Sequence, residues 1–453
     1  MAELAFDRYV APRATAYHRS LANLLERREP DLWKWFASEP VAEEAAETLR
    51  LELLKRTYRL DRDAHAPLHA VADEIAAAMD LDAPVALYQS EGAAGRNAAL
   101  YFEASTAHVV FEGDALRALD PGELRFVLGH ELAHHQLWTA DQGRFWTAYR
   151  LLRWAASQPG AAPAFAQSAR LERLYTELFA DRFGLWAVGD LEPALTAQVK
   201  LSHDAAEVSG AAFLAQAEEA LERETARKGR AWSEGGSHPE AYLRAVLMAA
   251  WSHDPAAADG RARGLLEGGA PLESLDLLGQ EHVSDLTFWL LFEFLTEPWA
   301  SQPLIRAHAH EISDALAQRL DAPRHGERDL DKLRGALAAS HPEIRRYFAY
   351  LLLDFASVDP QLEDVMLAAA LRFSEDFGLL EELKAVASQE LKTTKAKLAD
   401  LEKNAVRILS KAELSLGVVD GEAMVPGDPT AADDPSAPMS ARDARAAVKA
   451  GAA

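Results

Sequence analysis

The sequence predicts a predominantly helical α+β fold, and three observations carry that prediction. Apolar residues recur at helical spacing from Pro12 to about Met79, as in Leu21, Leu24, Leu25 and later Leu49, Leu51 and Leu54. The same spacing returns after Gly235-Gly236 and continues almost without interruption to about Leu416. Between these stretches lie Val85–Ser90, Ala98–Glu103 and His108–Glu112, which are short, rich in β-branched and aromatic residues, and separated by Gly, Ser and Thr turns. They read as a small antiparallel sheet. Apolar residues make up 49% and charged residues 26% of 453 positions, a globular composition in a chain longer than one core usually organises.

In chain order, residues 1–80 read as N-terminal helices packing on the core, 81–252 as the core itself, 253–416 as a helical C-terminal domain, and 417–453 as a disordered tail. Asp120-Pro121-Gly122-Glu123 combines an N-cap, a proline at the first helical position and a reciprocal Glu, so a helix should run from there to about Thr139. A second should begin near Phe165, carry Leu171, Leu174, Leu178 and Phe179, and end near Gly184, with a helical hairpin following across Pro193–Lys228. The tail collects Asp, Pro, Gly, Ser and Ala, too few large apolar residues to offset the entropy of ordering it.

Composition excludes several classes of function. The chain has 47 Lys and Arg against 71 Asp and Glu, a net charge of −24 that repels phosphate backbones, so nucleic acid is not an expected partner. The absence of cysteine removes disulfides and thiolate metal sites, so a transition-metal site would be built from His, Asp and Glu. It also fits a reducing compartment, and the expected location is the cytoplasm. No secretory leader is visible at the N-terminus, and the most apolar stretches, Leu286–Leu295 and Tyr347–Leu353, fall far short of the ~20 residues that cross a bilayer. Transmembrane insertion is not expected.

The chemistry points to His130-Glu131-Leu132-Ala133-His134. Residues four apart on a helix share a face, so both imidazoles reach one ion, while Glu131 stands roughly 100° around, placed to take a proton from water. A catalytic zinc site uses three protein ligands. Downstream, Glu177 and Asp181 lie four apart on a second expected helix: Glu177 could complete the site and Asp181 could orient a metal-bound histidine from behind. Against this stand plainer readings: His130 and His134 as a buried pair satisfied by polar neighbours, and Asp181 paired with Arg182 or Arg173. His135 sits ~100° off His134 and should face away from the ion.

With these residues in view, the sequence resembles the zinc peptidases that include the CAAX prenyl protease and HtpX, within the gluzincins. Four pieces match in order: Asn97-Ala98 resembles an edge-strand motif, Phe126–His134 the motif helix, Glu177–Asp181 a Glu-x-x-Ala-Asp motif, and Ser237-His238-Pro239…Arg244 a Ser/Thr-His-Pro…Arg motif. The match spans about Val85 to Leu247; Ala133 stands where many members have Gly, and the membrane helices of many members are missing. The resemblance implies a zincin-like core, one zinc ion per chain held by His130, His134 and Glu177, Glu131 as general base, and His238 and Arg244 as further catalytic residues beside the cleft. Asn97, Ala98 and Ala99 would begin the edge strand on which a peptide or protein substrate adds as an extended strand.

The implied activity is peptide-bond hydrolysis by metal-activated water, with latency if helices cover the cleft. The alternative is a catalytically silent scaffold of the same fold, whose C-terminal helices bind a regulatory protein partner. Ser237–Glu240 reads equally as a capping box, and Ser340-His341-Pro342-Glu343 repeats it where no family motif is expected.

Overall fold

Four helices open the chain: α1 (Ala16–Arg28), α2 (Pro30–Phe36), α3 (Glu39–Arg56) and α4 (Ala66–Ala78). The computed structural model describes residues 9–91, 95–203, 205, 207–228, 232–236, 238–321 and 329–415, so the expected disordered tail, 417–453, lies outside the described residues. In α1 the hydroxyl of Thr15 accepts from the main-chain N–H of His18, whose ring reciprocates at the Thr15 N–H. That capping box starts a helix whose Tyr17, Leu21, Leu24 and Leu25 form one buried stripe.

The sheet holds β1 (Tyr58–Arg59), β2 (Val85–Ser90), β3 (Asn97–Glu103) and β4 (Thr106–Glu112), in the spatial order β1-β2-β4-β3. It is mixed, which corrects the antiparallel sheet expected from sequence. β3 and β4 form an antiparallel hairpin, yet β4 runs parallel to β2, from Val85 opposite Ala107 to Ser90 opposite Glu112. The chain leaves β2, places β3 beyond the position β4 will occupy, and folds back, so that β4 inserts in the same direction as β2. The central position of β4 explains its unbroken buried run from Ala107 to Phe111. β3 is left as an edge strand. The fold is thus a predominantly helical α+β arrangement with a small mixed sheet.

A short helix α5 (Ala115–Ala118) leads into α6 (Pro121–Ser157), whose N-cap is the Asp120–Glu123 capping box. The expected end at Thr139 coincides with a break rather than a terminus. Ala140 is extended, and Asp141, Gln142 and Gly143 have φ of 48°, 58° and 79°, after which the helix resumes. Helix α7 (Pro163–Val188) ends at Gly189, whose φ of 70° is the left-handed conformation that glycine adopts without steric penalty.

α6 and α7 cross closely because two glycines meet there. A Cβ added to Gly129 would lie 2.7 Å from Ala187 Cβ and 3.1 Å from Gly184 Cα, and one added to Gly184 would lie 2.8 Å from the Phe126 ring. Helices α8 (Leu191–His203), α9 (Gly210–Lys228), α10 (Ala241–His253) and α11 (Pro255–Leu266) complete this part of the chain.

Buried apolar residues form two large clusters. One gathers Tyr17 through Leu277 and includes Leu21 of α1, Phe111 of β4, Phe126 of α6, Phe179 of α7 and Leu266 of α11. The other runs from Val283 to Leu401 within a wholly helical region. α12 (Leu277–Phe294) belongs to both, with Leu277 in the first cluster and Val283 onward in the second. Among the described residues no helix is long and apolar enough to cross a membrane.

Candidate metal centre

The α6/α7 crossing sets two polar rows against each other inside an apolar body. His130 and His134 leave α6 one turn apart, and Glu177 faces them from α7; all three are buried. The two Nε2 atoms are 3.4 Å apart, Glu177 Oε2 is 3.5 Å from His130 Nε2, and Glu177 Oε1 is 3.7 Å from His134 Nε2. A tetrahedral ion with ligands at about 2.0–2.1 Å separates its ligand atoms by roughly 3.3 Å, so the three donors already stand near the spacing that a common ion requires. Glu177 Oε2 is buried without a hydrogen-bond partner, which leaves it a lone pair to offer. This buried group could hold a metal ion.

Asp181, one turn beyond Glu177, lies 3.0 Å from His130 Nδ1, the nitrogen turned away from the other donors. Arg244 of α10 grips the same carboxylate through two hydrogen bonds, Nε to Oδ2 at 2.8 Å and a terminal nitrogen to Oδ1 at 2.5 Å. Asp181 pairs with neither Arg182 nor Arg173: Arg182 bonds Asp259, and Arg173 donates to the Gly236 carbonyl. His238 stands at the open side, more than half exposed, with Nε2 3.5 Å from Glu177 Oε1.

His135 points elsewhere, its Nε2 2.9 Å from the Glu103 carbonyl, as its helical angle requires. Ser237 lies outside the described residues, and α10 is capped at Glu240, so the helix starts later than a capping box at Ser237 would place it. The second copy is corrected as well: the helix Pro342–Ala356 is capped by His341, whose Nδ1 accepts from the Glu343 N–H, while Ser340 bonds back to Ala336.

Opposite charges are paired within the cluster. Burial opposes a charge on His130, but Asp181 and Glu177 outweigh it and raise the imidazole to about 10. Burial also opposes ionisation of Glu177 and Asp181, yet His130 and Arg244 hold both below the usual carboxylate range. His134 is pushed down to about 4 by burial, which leaves it a neutral donor. Glu131 is raised to about 7, first by burial; a main-chain hydrogen bond from Leu100 of β3 works in the opposite direction. A carboxylate with that affinity is matched to accepting and returning protons near neutral pH.

His130, Glu131, His134, Glu177, His238 and Arg244 line one cleft of 660 Å³, together with Asn97, Ala98, Ala99 and Leu100 of the edge strand. Every residue lining it lies between Arg96 and Arg244. Sequence reasoning missed what stands behind Glu177. The Thr176 hydroxyl donates to the buried Glu172 carboxyl at 3.1 Å and lies 3.1 Å from His18 Nε2, so α1 and α7 share a polar chain in the core. The available signal was polar residues at i and i+4 on the same face of α7 as apolar core positions. Comparison of the chain with protein-family models, curated proteins and solved structures returned no match.

Proposed function

We propose that this chain is a zinc-dependent metalloendopeptidase with a zincin-like core, related to the family of the CAAX prenyl protease and HtpX. The observation that carries the reading is the convergence of His130, His134 and Glu177 at 3.4–3.7 Å beside the buried Glu131, in a cleft bordered by an open strand edge. A merely structural site needs ligands but has no use for a buried carboxyl beside them.

His130, His134 and Glu177 would hold the ion. The chemistry a bound zinc supplies is Lewis acidity, which polarises a carbonyl oxygen and brings the pKa of water toward ~7. Glu131 takes the proton from the attacking water and returns it to the leaving amine. Asp181 fixes the His130 ring from behind, and Arg244 acts through Asp181, so Arg244 is a positioning residue in this reading. β3 supplies main-chain groups to which a peptide adds as an extended strand. His238, at the mouth beside Glu177, is placed to donate to the oxyanion that develops on the carbonyl.

The test combines elemental mass analysis with peptide hydrolysis. Wild type should carry one zinc per chain and cut peptides; His134→Ala should lose the metal. Glu131→Gln should keep the metal and lose about 10²–10⁴ of the rate, the range for a general base. A wild-type protein that keeps no transition metal after reconstitution overturns the reading, as does a Glu131→Gln variant that cuts as fast as the parent.

A further inference from the structure

The edge strand does not end at the metal cleft. Asn97 to Leu100 line that cleft, whereas Phe102 and Glu103, further along β3, line a second pocket of 920 Å³. Trp138, one helical turn beyond His134, borders both. In the second pocket the Phe102 ring centroid is 4.5 Å from that of Trp146 and 5.4 Å from that of Trp138, and the two indoles are 5.0 Å apart. All three rings are only partly buried, so aromatic surface faces the open space.

The break in α6 builds this wall. Asp141 and Gln142 hold left-handed backbone that side-chain-bearing residues rarely adopt, and the turn they make with Gly143 brings Trp146 back against Trp138. Cations stand at the rim but are engaged: Arg50 donates to Glu103, and Arg150 donates to the Phe36 carbonyl. Glu47 also lines the pocket and lies 3.8 Å from Arg50, so the rim charges are paired and the wall between them is aromatic.

We propose that this pocket is a specificity subsite that takes one large apolar or aromatic side chain of the peptide. The proposal rests on the peptidase reading. Side chains of Ala98, Leu100 and Phe102 fall on one face of β3 by strand alternation, and the rings packed on Phe102 show that this face looks toward α6. The Leu100 N–H faces Glu131, and Phe102 lies two residues on, roughly 7 Å along the strand. A peptide paired with this edge thus presents to the pocket a side chain two or three residues from the bond cleaved, and the pocket selects for its bulk.

The test is a peptide series of Ala and Gly in which a single Phe is moved through every position. It is read as kcat/KM on wild type and as binding by calorimetry on Glu131→Gln. Ala46, which lines the pocket from α3, is replaced by Trp to fill it, and Trp146→Ala serves as a second variant, with circular dichroism confirming the fold of each. The expected result is an advantage of tenfold or more for Phe at one position two or three residues from the cut, abolished by either variant that folds. Cleavage with no positional preference, or a preference that both variants leave intact, overturns the subsite and leaves the peptidase reading standing. If no peptide is cut but Phe at one position tightens binding and Ala46→Trp removes that gain, the subsite stands and hydrolysis falls. Flat binding without cleavage overturns both.

Discussion

Asp181 Oδ1 lies 3.0 Å from His130 Nδ1, and Arg244 clasps both oxygens of the same carboxylate. On the proposed reading the carboxylate holds the His130 ring so that Nε2 faces Glu177. Groups in this position typically contribute 10–100-fold to metal affinity. Asp181→Asn should weaken zinc binding by about that factor while the protein remains folded, measured by competition with a chromogenic chelator. Unchanged affinity would show that the ring is oriented by packing alone.

The close crossing at Gly129 and Gly184 gives a second prediction. Gly129→Ala must place a methyl 2.7 Å from Ala187 Cβ, an overlap that only a shift of α6 against α7 can relieve. Overpacking of this kind costs about 1–3 kcal/mol, and the shift would also separate His130 from Glu177. Thermal stability and zinc affinity should fall together in this variant, whereas Asp181→Asn should affect mainly the affinity. A Gly129→Ala protein with parental melting temperature and zinc affinity would refute the role assigned to the crossing.

Much of the site was legible in the sequence because its spacings are local. Asp120 and Glu123 announce the start of α6, the four-residue offset puts His130 and His134 on one face, and the same offset joins Glu177 to Asp181. That α7 would face α6, and that Arg244 would lie beside the cleft, depended on the resemblance, since helical periodicity gives no partner; the clasp of Arg244 on Asp181 was not foreseen. What was illegible was non-local or irregular. The parallel pairing of β2 with β4 depends on where β3 goes, and no pattern inside a strand records its neighbours. The two-residue β1 carries too little sequence to show alternation. The break after Thr139 contains a glycine and an aspartate that tolerates left-handed backbone, but nothing in Gln142 forecasts positive φ.

The two apolar clusters predict how metal and stability are coupled. His130, His134 and Glu177 all sit in elements of the first cluster, and the second begins beyond them at Val283. A ligand at 100 times its dissociation constant stabilises the state that binds it by about 2.7 kcal/mol. Scanning calorimetry with and without zinc should therefore resolve two transitions, of which zinc raises one, and His134→Ala should abolish that response. A single transition that moves as a whole would mean that α12 welds the clusters into one cooperative unit.

Glu172 gives a pH dependence that arises first from its own burial, with a smaller contribution from Glu177. It is buried, and burial raises it from 4.5 to about 7 despite the Thr176 hydroxyl. His18, joined to Glu172 through Thr176, is pushed by burial down to about 3 and adds no compensating charge, while Arg173 and Arg153 offset only part of the burial effect. A raised carboxyl makes the folded state bind more protons than the unfolded state between pH 4.5 and 7. Its stabilising contribution is complete below about 4.5 and is lost as pH rises through 7. Over 2.5 pH units at about 1.4 kcal/mol each, the ceiling on that loss is about 3–4 kcal/mol. Glu172→Gln keeps the shape and the hydrogen-bonding groups but does not ionise. Urea unfolding from pH 4 to 8.5 should show the variant gaining on wild type across this window and levelling off above it. Parallel stability curves would mean that Glu172 ionises in the folded protein as readily as in the unfolded chain.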